Sequence, residues 1–221
     1  MLADPIGGGR IFGGQTGPFR AEWQGSRTDR RARPDMDQAQ MPKQTELSSS
    51  RLRMVALDPD LAELQLADRP AFFEALGVEA EPSWPPALTE EADMRDLRDA
   101  LRAHPGETGW RTWVFISPVM HRLLGTGGFK GAPDDEGVVE VEYSMLTSYR
   151  EQGLATEAVN TLLQWAYADD RVKRVVAHTR DDRDASHRVL EKAGFVQSGR
   201  TRGDDGHDVI AWSHERSRLA A

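Results

Sequence analysis

The chain predicts a single mixed α/β domain carried behind a disordered N-terminal tail. Residues 1–48 are rich in Gly, Pro, Gln, Arg and Ser and hold no apolar period. Such a segment cannot bury enough apolar surface to offset its ordering entropy. From residue 49 to 221, strand-like alternation is interrupted by a few periodic helical stretches, the pattern of one layered α/β domain. The 221 residues suit one such domain plus a tail, and an apolar content of 38% leaves part of the chain outside a core.

Each element has a local reason. Leu52, Met54 and Ala56 alternate with Arg51, Arg53 and Val55, predicting a first strand. Asp58-Pro59 then places a helix N-cap before a proline at the first helical position. Leu61, Leu64 and Leu66 fall on that helix, and Phe72, Phe73 and Leu76 on a second. Pro82, Trp84, Pro85 and Pro86 break helices and mark a rigid loop. Residues 90–103 read as a third helix, with Met94, Leu97 and Leu101 at helical spacing. Residues 110–117, 123–130 and 138–145 are expected strands separated by Gly- and Asp-rich turns. A helix follows residue 153 and runs to about Ala168, then a short buried strand over 174–179. A further helix over 184–193 stops at Gly194, which suits the left-handed position after a helix. Residues 195–198 and 209–213 read as two last strands, joined through Gly203-Asp204-Asp205-Gly206.

Charge and composition remove several function classes. A net charge of −8 argues against a nucleic-acid binder that works through a broad basic surface. Arg27, Arg30, Arg31 and Arg33 read as a solvated run in the tail; an RNA-binding tail would show salt-sensitive affinity. The absence of cysteine excludes disulfides, thiolate ligands and a cysteine nucleophile, and fits a cytoplasmic protein. No apolar run reaches the ~18–20 residues that span a bilayer, so no membrane partner is expected. No Gly-Lys-Ser/Thr phosphate loop, no His-Glu-x-x-His metal motif and no Gly-x-Ser-x-Gly elbow is present. No metal is expected.

The most informative stretch is Arg150-Glu151-Gln152-Gly153-Leu154-Ala155-Thr156, between a strand and a strongly periodic helix. The first N–H groups of a helix lack partners and carry partial positive charge, so an anionic diphosphate is a natural occupant. Gly153 permits close backbone approach, Ala155 keeps the next turn clear, Thr156 adds a hydroxyl and Arg150 adds charge. On its own the segment is also compatible with an ordinary tight turn.

Its surroundings narrow the choice. Arg150-x-x-Gly153-x-Ala155 resembles the Arg/Gln-x-x-Gly-x-Gly/Ala signature of the GNAT N-acetyltransferases, and Ser186-x-x-Val189-Leu190-Glu191-Lys192-Ala193-Gly194-Phe195 resembles the end of that family's cofactor region. Gly128-Phe129-Lys130-Gly131 and Val139-Glu140-Val141-Glu142-Tyr143 are similar to the branch containing the ribosomal-protein N-terminal (Rim-type) acetyltransferases. The resemblance spans about residues 52–213. It implies a mostly antiparallel central sheet with splayed central strands and flanking helices, and acetyl-CoA as co-substrate. The implied cofactor-binding residues are Met145, Leu146, Thr147, Arg150, Gln152, Gly153, Leu154, Ala155, Thr156 and Ser186.

Acetyl transfer to an amine requires a neutral amine, a stabilised oxyanion and a proton for the departing thiolate. Strand alternation over 138–145 puts Glu140, Glu142 and Ser144 on one face; the resemblance implies that thioester and amine meet where this strand parts from the next, making Glu140 or Glu142 a candidate base. His178, at a strand end, ranks beside Glu140: the resemblance implies a position where related enzymes can carry a catalytic carboxylate, and imidazole as a residue type suits a base near neutrality. By resemblance, backbone N–H groups around residues 145–147 polarise the acetyl carbonyl, and Trp84 and Pro85 form part of the acceptor wall. Many family members carry a tyrosine acid where this chain has Leu190; by resemblance Ser186 approaches the sulfur instead. Arg183 stands where the family has asparagine, and an arginine cannot accept a hydrogen bond. The expected activity is acetylation of a peptide N-terminus or a small-molecule amine by direct attack, in a monomer or homodimer. The competing expectation is a non-catalytic acyl-CoA-binding regulatory module.

Overall fold

The computed structural model describes residues 45–87, 89–202 and 207–216. Most of the expected tail and the linking Gly203–Gly206 turn therefore lie outside the described residues. Glu46–Ser48, which the sequence reading allotted to the tail, form a strand, β1. Next come β2 (Arg53–Ala56), helices α1 (Pro59–Ala67), α2 (Arg69–Leu76) and α3 (Glu91–Ala103), then β3 (Thr112–Ser117), β4 (Arg122–Phe129) and β5 (Val138–Met145). The chain continues through α4 (Leu154–Ala168), β6 (Arg174–Arg180), α5 (Asp184–Lys192), β7 (Val196–Arg202) and β8 (Asp208–Glu215).

Helix boundaries follow local chemistry. The Asp58 carboxylate accepts from the Leu61 N–H at 2.8 Å, with Pro59 opening α1. Gly77 ends α2 in the left-handed region. Past α5, Gly194 (φ 86°) turns the chain so that its N–H reaches the Glu191 carbonyl and that of Phe195 reaches the Leu190 carbonyl. This pair of bonds satisfies the last carbonyls of the helix.

Among the described residues the strands form one sheet in the order β1-β2-β3-β4-β5-β6-β8-β7. Neighbours are antiparallel except β5 and β6. Period-two alternation splits the central strands between two cores. Met54, Ala56, Trp113 and Phe115 face α4 and α5, whereas Val55, Val114 and Ile116 face α1 and α2. The α4 stripe Leu154, Ala158, Val159, Leu162, Leu163 and Ala166 is buried in the first core. The last hairpin is longer than the sequence pattern suggests. All of β7 is exposed, so hydrophobicity gives no signal there; its pairing with β8 holds it as a strand.

The joint between β5 and β6 positions the site. Their parallel pairing covers Val138↔Arg174, Val139↔Val175 and Glu140↔Val176 and then stops, although both strands continue. Beyond Glu140 the two strands splay, as expected, and open a gap in the middle of the sheet.

Candidate active site

The splay leaves a row of main-chain groups without a neighbouring strand. The Lys130 N–H donates to the Glu140 carbonyl at 3.0 Å and the Leu146 N–H to the Leu124 carbonyl at 2.9 Å. Backbone groups alternate sides along an antiparallel ladder, so the even-numbered residues of β5 turn theirs toward β4. Val141, Tyr143 and Met145 turn theirs the other way, toward β6, and past the last β5–β6 pair, Glu140↔Val176, those of Tyr143 and Met145 face the gap. An extended chain bearing amides could occupy that edge as an added strand. The same geometry corrects one expectation: the Leu146 N–H is already engaged and is not free to polarise a carbonyl, whereas the Met145 N–H faces the gap. The Met145 carbonyl accepts from Arg150 Nε at 3.1 Å, so Arg150 folds back across the end of β5.

At the same end of the gap lies the turn into α4. A short 3-10 turn, Thr147–Tyr149, leads to Glu151 (φ 60°) and Gly153 (φ 75°), both in the left-handed region. Gly153 is the N-cap of α4 and offers no side chain to the helix end. Among the described residues, the first helical bond runs from the Glu157 N–H to the Gly153 carbonyl at 3.1 Å, leaving the N–H groups of Leu154, Ala155 and Thr156 without partners in the turn. The result is a cluster of outward N–H groups at the positive end of a 15-residue helix. Gln152 and Thr147 are exposed on this turn, and Gln152 Nε2 donates to the Ser148 carbonyl.

Across β5, the titratable residues cluster on the face opposite α4. Glu140 Oε1 lies 2.5 Å from Lys130 Nζ and 3.0 Å from His178 Nδ1. Burial pushes the Glu140 carboxyl up, but the hydrogen bonds and charges of Lys130 and His178 outweigh it and hold the group below its ordinary range. Glu142 is in the opposite state. Its carboxyl reaches solvent but is crowded by protein on its flanks, and that desolvation raises its pKa; Glu140 and Asp93 add to the rise and Lys130 opposes it. Ser144 Oγ donates to the Ala87 carbonyl at 3.4 Å, so the 84–87 loop reaches this face. Trp84 is 3% exposed and packs on Phe72, contributing to the second core, while Pro85 beside it is half-buried.

On the α5 side, Ser186 sits in the first turn of α5 and is half-buried. Its carbonyl accepts from the Tyr143 hydroxyl at 3.1 Å. Burial pushes the Tyr143 phenol well above its usual value, so it remains a proton donor at neutral pH. Leu190 is fully buried, and the position of the tyrosine acid is hydrocarbon here. Arg183 precedes α5 with its side chain toward Asp182 at 3.6 Å.

The predicted residues thus gather around one gap: Glu140, Glu142 and His178 on one face, Ser186 on the other, and 150–156 at its end. Three participants were not singled out from sequence. Tyr143 lies on the core face by alternation, Lys130 lies a strand away from Glu140, and Arg51 meets the 150–156 turn from 99 residues upstream of Arg150. Only chain folding brings the last two into place.

A family model described as an acetyltransferase (GNAT) domain matches residues 52–196. Among curated proteins, the chain is 29% identical over 150 residues to the uncharacterized N-acetyltransferase YjdG of Bacillus subtilis (strain 168), covering 68% of this chain and 89% of that protein. Among solved structures, it is similar to a ribosomal-protein-S5-alanine acetyltransferase from Vibrio fischeri, with a TM-score of 0.56, 18% identity and coverage of 79% and 98%. It is also similar to a spermidine N-acetyltransferase from Vibrio cholerae, solved with CoA and spermine, with a TM-score of 0.56, 16% identity and coverage of 78% and 100%.

Proposed function

Because the chain belongs to the acetyltransferase (GNAT) domain family, we propose that it transfers the acetyl group of acetyl-CoA to a primary amine by direct attack on the thioester. The observation that carries this reading is the splayed β5–β6 gap, with its unpaired backbone edge, opening beside the unpaired N–H cluster of α4. Those two features fit the two parts of the cofactor: an anionic diphosphate at the helix end and an amide-bearing arm along β5. Acetyl-CoA supplies the activated thioester; everything else falls to the chain's own backbone and side-chain groups.

His178 takes the amine proton. Its Nδ1 faces Glu140, which orients the ring and leaves Nε2 for the acceptor. Glu140 is a poor base itself, because Lys130 and His178 stabilise its charged form. Glu142 and Asp93 lend negative potential that attracts a protonated amine toward the gap. The Met145 N–H is the donor placed to polarise the acetyl carbonyl. On the α5 side Ser186 relays a proton from solvent to the leaving thiolate, and the Tyr143 hydroxyl, bonded to the Ser186 carbonyl, holds that residue in place. Pro85 and the 84–87 loop form one wall of the acceptor side. The acceptor is the amine of a peptide N-terminus or of a small molecule, and the acid-lined face favours one that arrives as a cation.

Titration calorimetry with acetyl-CoA, followed by a thiol-release assay across peptide N-termini, polyamines and simple amines, tests this. Binding with release from at least one amine is expected. Binding with no release from any would favour a regulatory acyl-CoA-binding module instead.

A further inference from the structure

The turn between β1 and β2 grips the cofactor end of α4 through a single carboxylate. Glu157 Oε1 accepts from Ser49 Oγ at 2.7 Å, Ser50 Oγ at 2.9 Å and the Arg51 N–H at 2.8 Å, and Oε2 accepts from Arg51 Nε at 2.6 Å. The same guanidinium reaches further: Arg51 Nη1 donates to the Gln152 carbonyl at 2.9 Å. These polar bonds add to the burial of Leu52 in the same core as Leu154 and Ala158. An open groove lined by Ser49, Ser50, Gly153, Thr156, Glu157 and Asn160 runs past the turn and the start of the helix.

The peptide that Arg51 holds is the informative one. The Gln152–Gly153 bond is trans, so its carbonyl and its N–H point in opposite directions. A donor fixed on the Gln152 carbonyl from one side therefore aims the Gly153 N–H out of the other side. A Cβ added to Gly153 would stand 3.6 Å from Arg51 Nη2, so the guanidinium lies against the back of this residue. The arrangement also solves an electrostatic problem. Glu157 lies in the first turn of the helix whose positive end must receive a diphosphate, where an unpaired carboxylate would repel it. Arg51 cancels that charge at the point where it would do harm.

We propose that Arg51, anchored by Glu157, is a positioning residue for the cofactor diphosphate: it orients the Gln152–Gly153 peptide and neutralises Glu157 without itself touching the ligand. This inference rests on the acetyl-CoA reading of the 150–156 turn. It predicts a selective loss. Contacts to the diphosphate should weaken while contacts to the pantetheine arm, which runs along β5 away from this turn, should not.

The test measures Kd for acetyl-CoA by calorimetry and for S-acetylpantetheine, which lacks the diphosphate, by NMR titration, on wild type, Arg51→Ala and Arg51→Lys. Arg51→Ala is expected to weaken acetyl-CoA binding about tenfold and to leave S-acetylpantetheine unchanged. Arg51→Lys should fall in between, since one ammonium cannot span both Glu157 and the Gln152 carbonyl. Adding Glu157→Gln to Arg51→Ala should recover part of the lost affinity by removing the exposed charge. Unchanged acetyl-CoA affinity in Arg51→Ala, or an equal loss for both ligands, overturns the proposal. If Arg51→Ala does not fold, Arg51→Lys decides by the same ligand comparison. A wild type that binds no acetyl-CoA overturns the cofactor reading itself, and the role of Arg51 with it.

Discussion

His178 and Glu140 form a pair whose parts are unequal. In the proposed mechanism the imidazole accepts the proton and the carboxylate holds it, so truncating each should produce different losses. His178→Ala is expected to lower kcat by about 10²-fold or more, the usual weight of a positioned base, with little change in the Kd for acetyl-CoA. Glu140→Gln should cost less, because the amide oxygen can still accept from Nδ1. Steady-state rates at saturating cofactor read both. At the other end of the gap, Gly153→Asp is expected to weaken acetyl-CoA binding about tenfold or more, because its carboxylate would draw Arg51 off the Gln152 carbonyl and add negative charge to the anion-binding turn. The left-handed φ of 75° adds backbone strain for any side chain there. Calorimetry reads the loss, and near-normal affinity would remove the site assignment.

At the scale of elements, α4 serves both the core and the site. Leu162 is 0% exposed in the middle of its buried stripe, so Leu162→Ala should destabilise the domain by about 2–5 kcal/mol in urea unfolding. The Glu157 network ties the start of the same helix to the β1–β2 turn and has a pH signature. Burial pushes its carboxyl up, but Ser49, the Arg51 backbone and side chain, and Ser50 overcome that and bring it down to about 2. A depressed carboxylate stabilises the fold fully above its unfolded pKa of ~4.3 and loses that contribution as pH falls toward 2. Thermal midpoints of wild type should therefore drop between pH 5 and pH 3 more steeply than those of Glu157→Gln. Equal slopes would show that the network contributes nothing to stability. The helices themselves were legible in the sequence: the period of Leu154, Ala158, Leu162 and Ala166, the Asp58-Pro59 start and the Gly194 stop each act within a few residues. β1 and the far half of β7 were not, because short or wholly polar strands carry no hydrophobic pattern and exist only through their partners.

Across the whole molecule, the net charge of −8 and the carboxylates on the acceptor face favour a cationic acceptor. At saturating acetyl-CoA, kcat/KM for a dicationic amine should fall several-fold between about 0.1 and 1 M salt, as the Debye length shrinks from about 10 to 3 Å. A singly charged amine of similar size should respond less, and equal responses would count against steering.

The sheet also shows how knowledge divides between chain and fold. By itself the sequence determined that the chain is a mixed α/β domain, where its helices start and stop, and that 150–156 is a turn ahead of a periodic helix, of a kind suited to an anion. All of these depend on residues near one another in the chain. Its likeness to known motifs extended that turn to acetyl-CoA. Tertiary structure alone decided where β5 and β6 part, and therefore that Tyr143 and Met145, not Leu146, turn their N–H groups to the gap. It alone joined Glu140 to both Lys130 and His178. It alone brought Arg51 behind the Gln152–Gly153 peptide. The physical reason is common to all three: each is a contact between segments distant in sequence, created by pairing register and packing, and no local pattern encodes it.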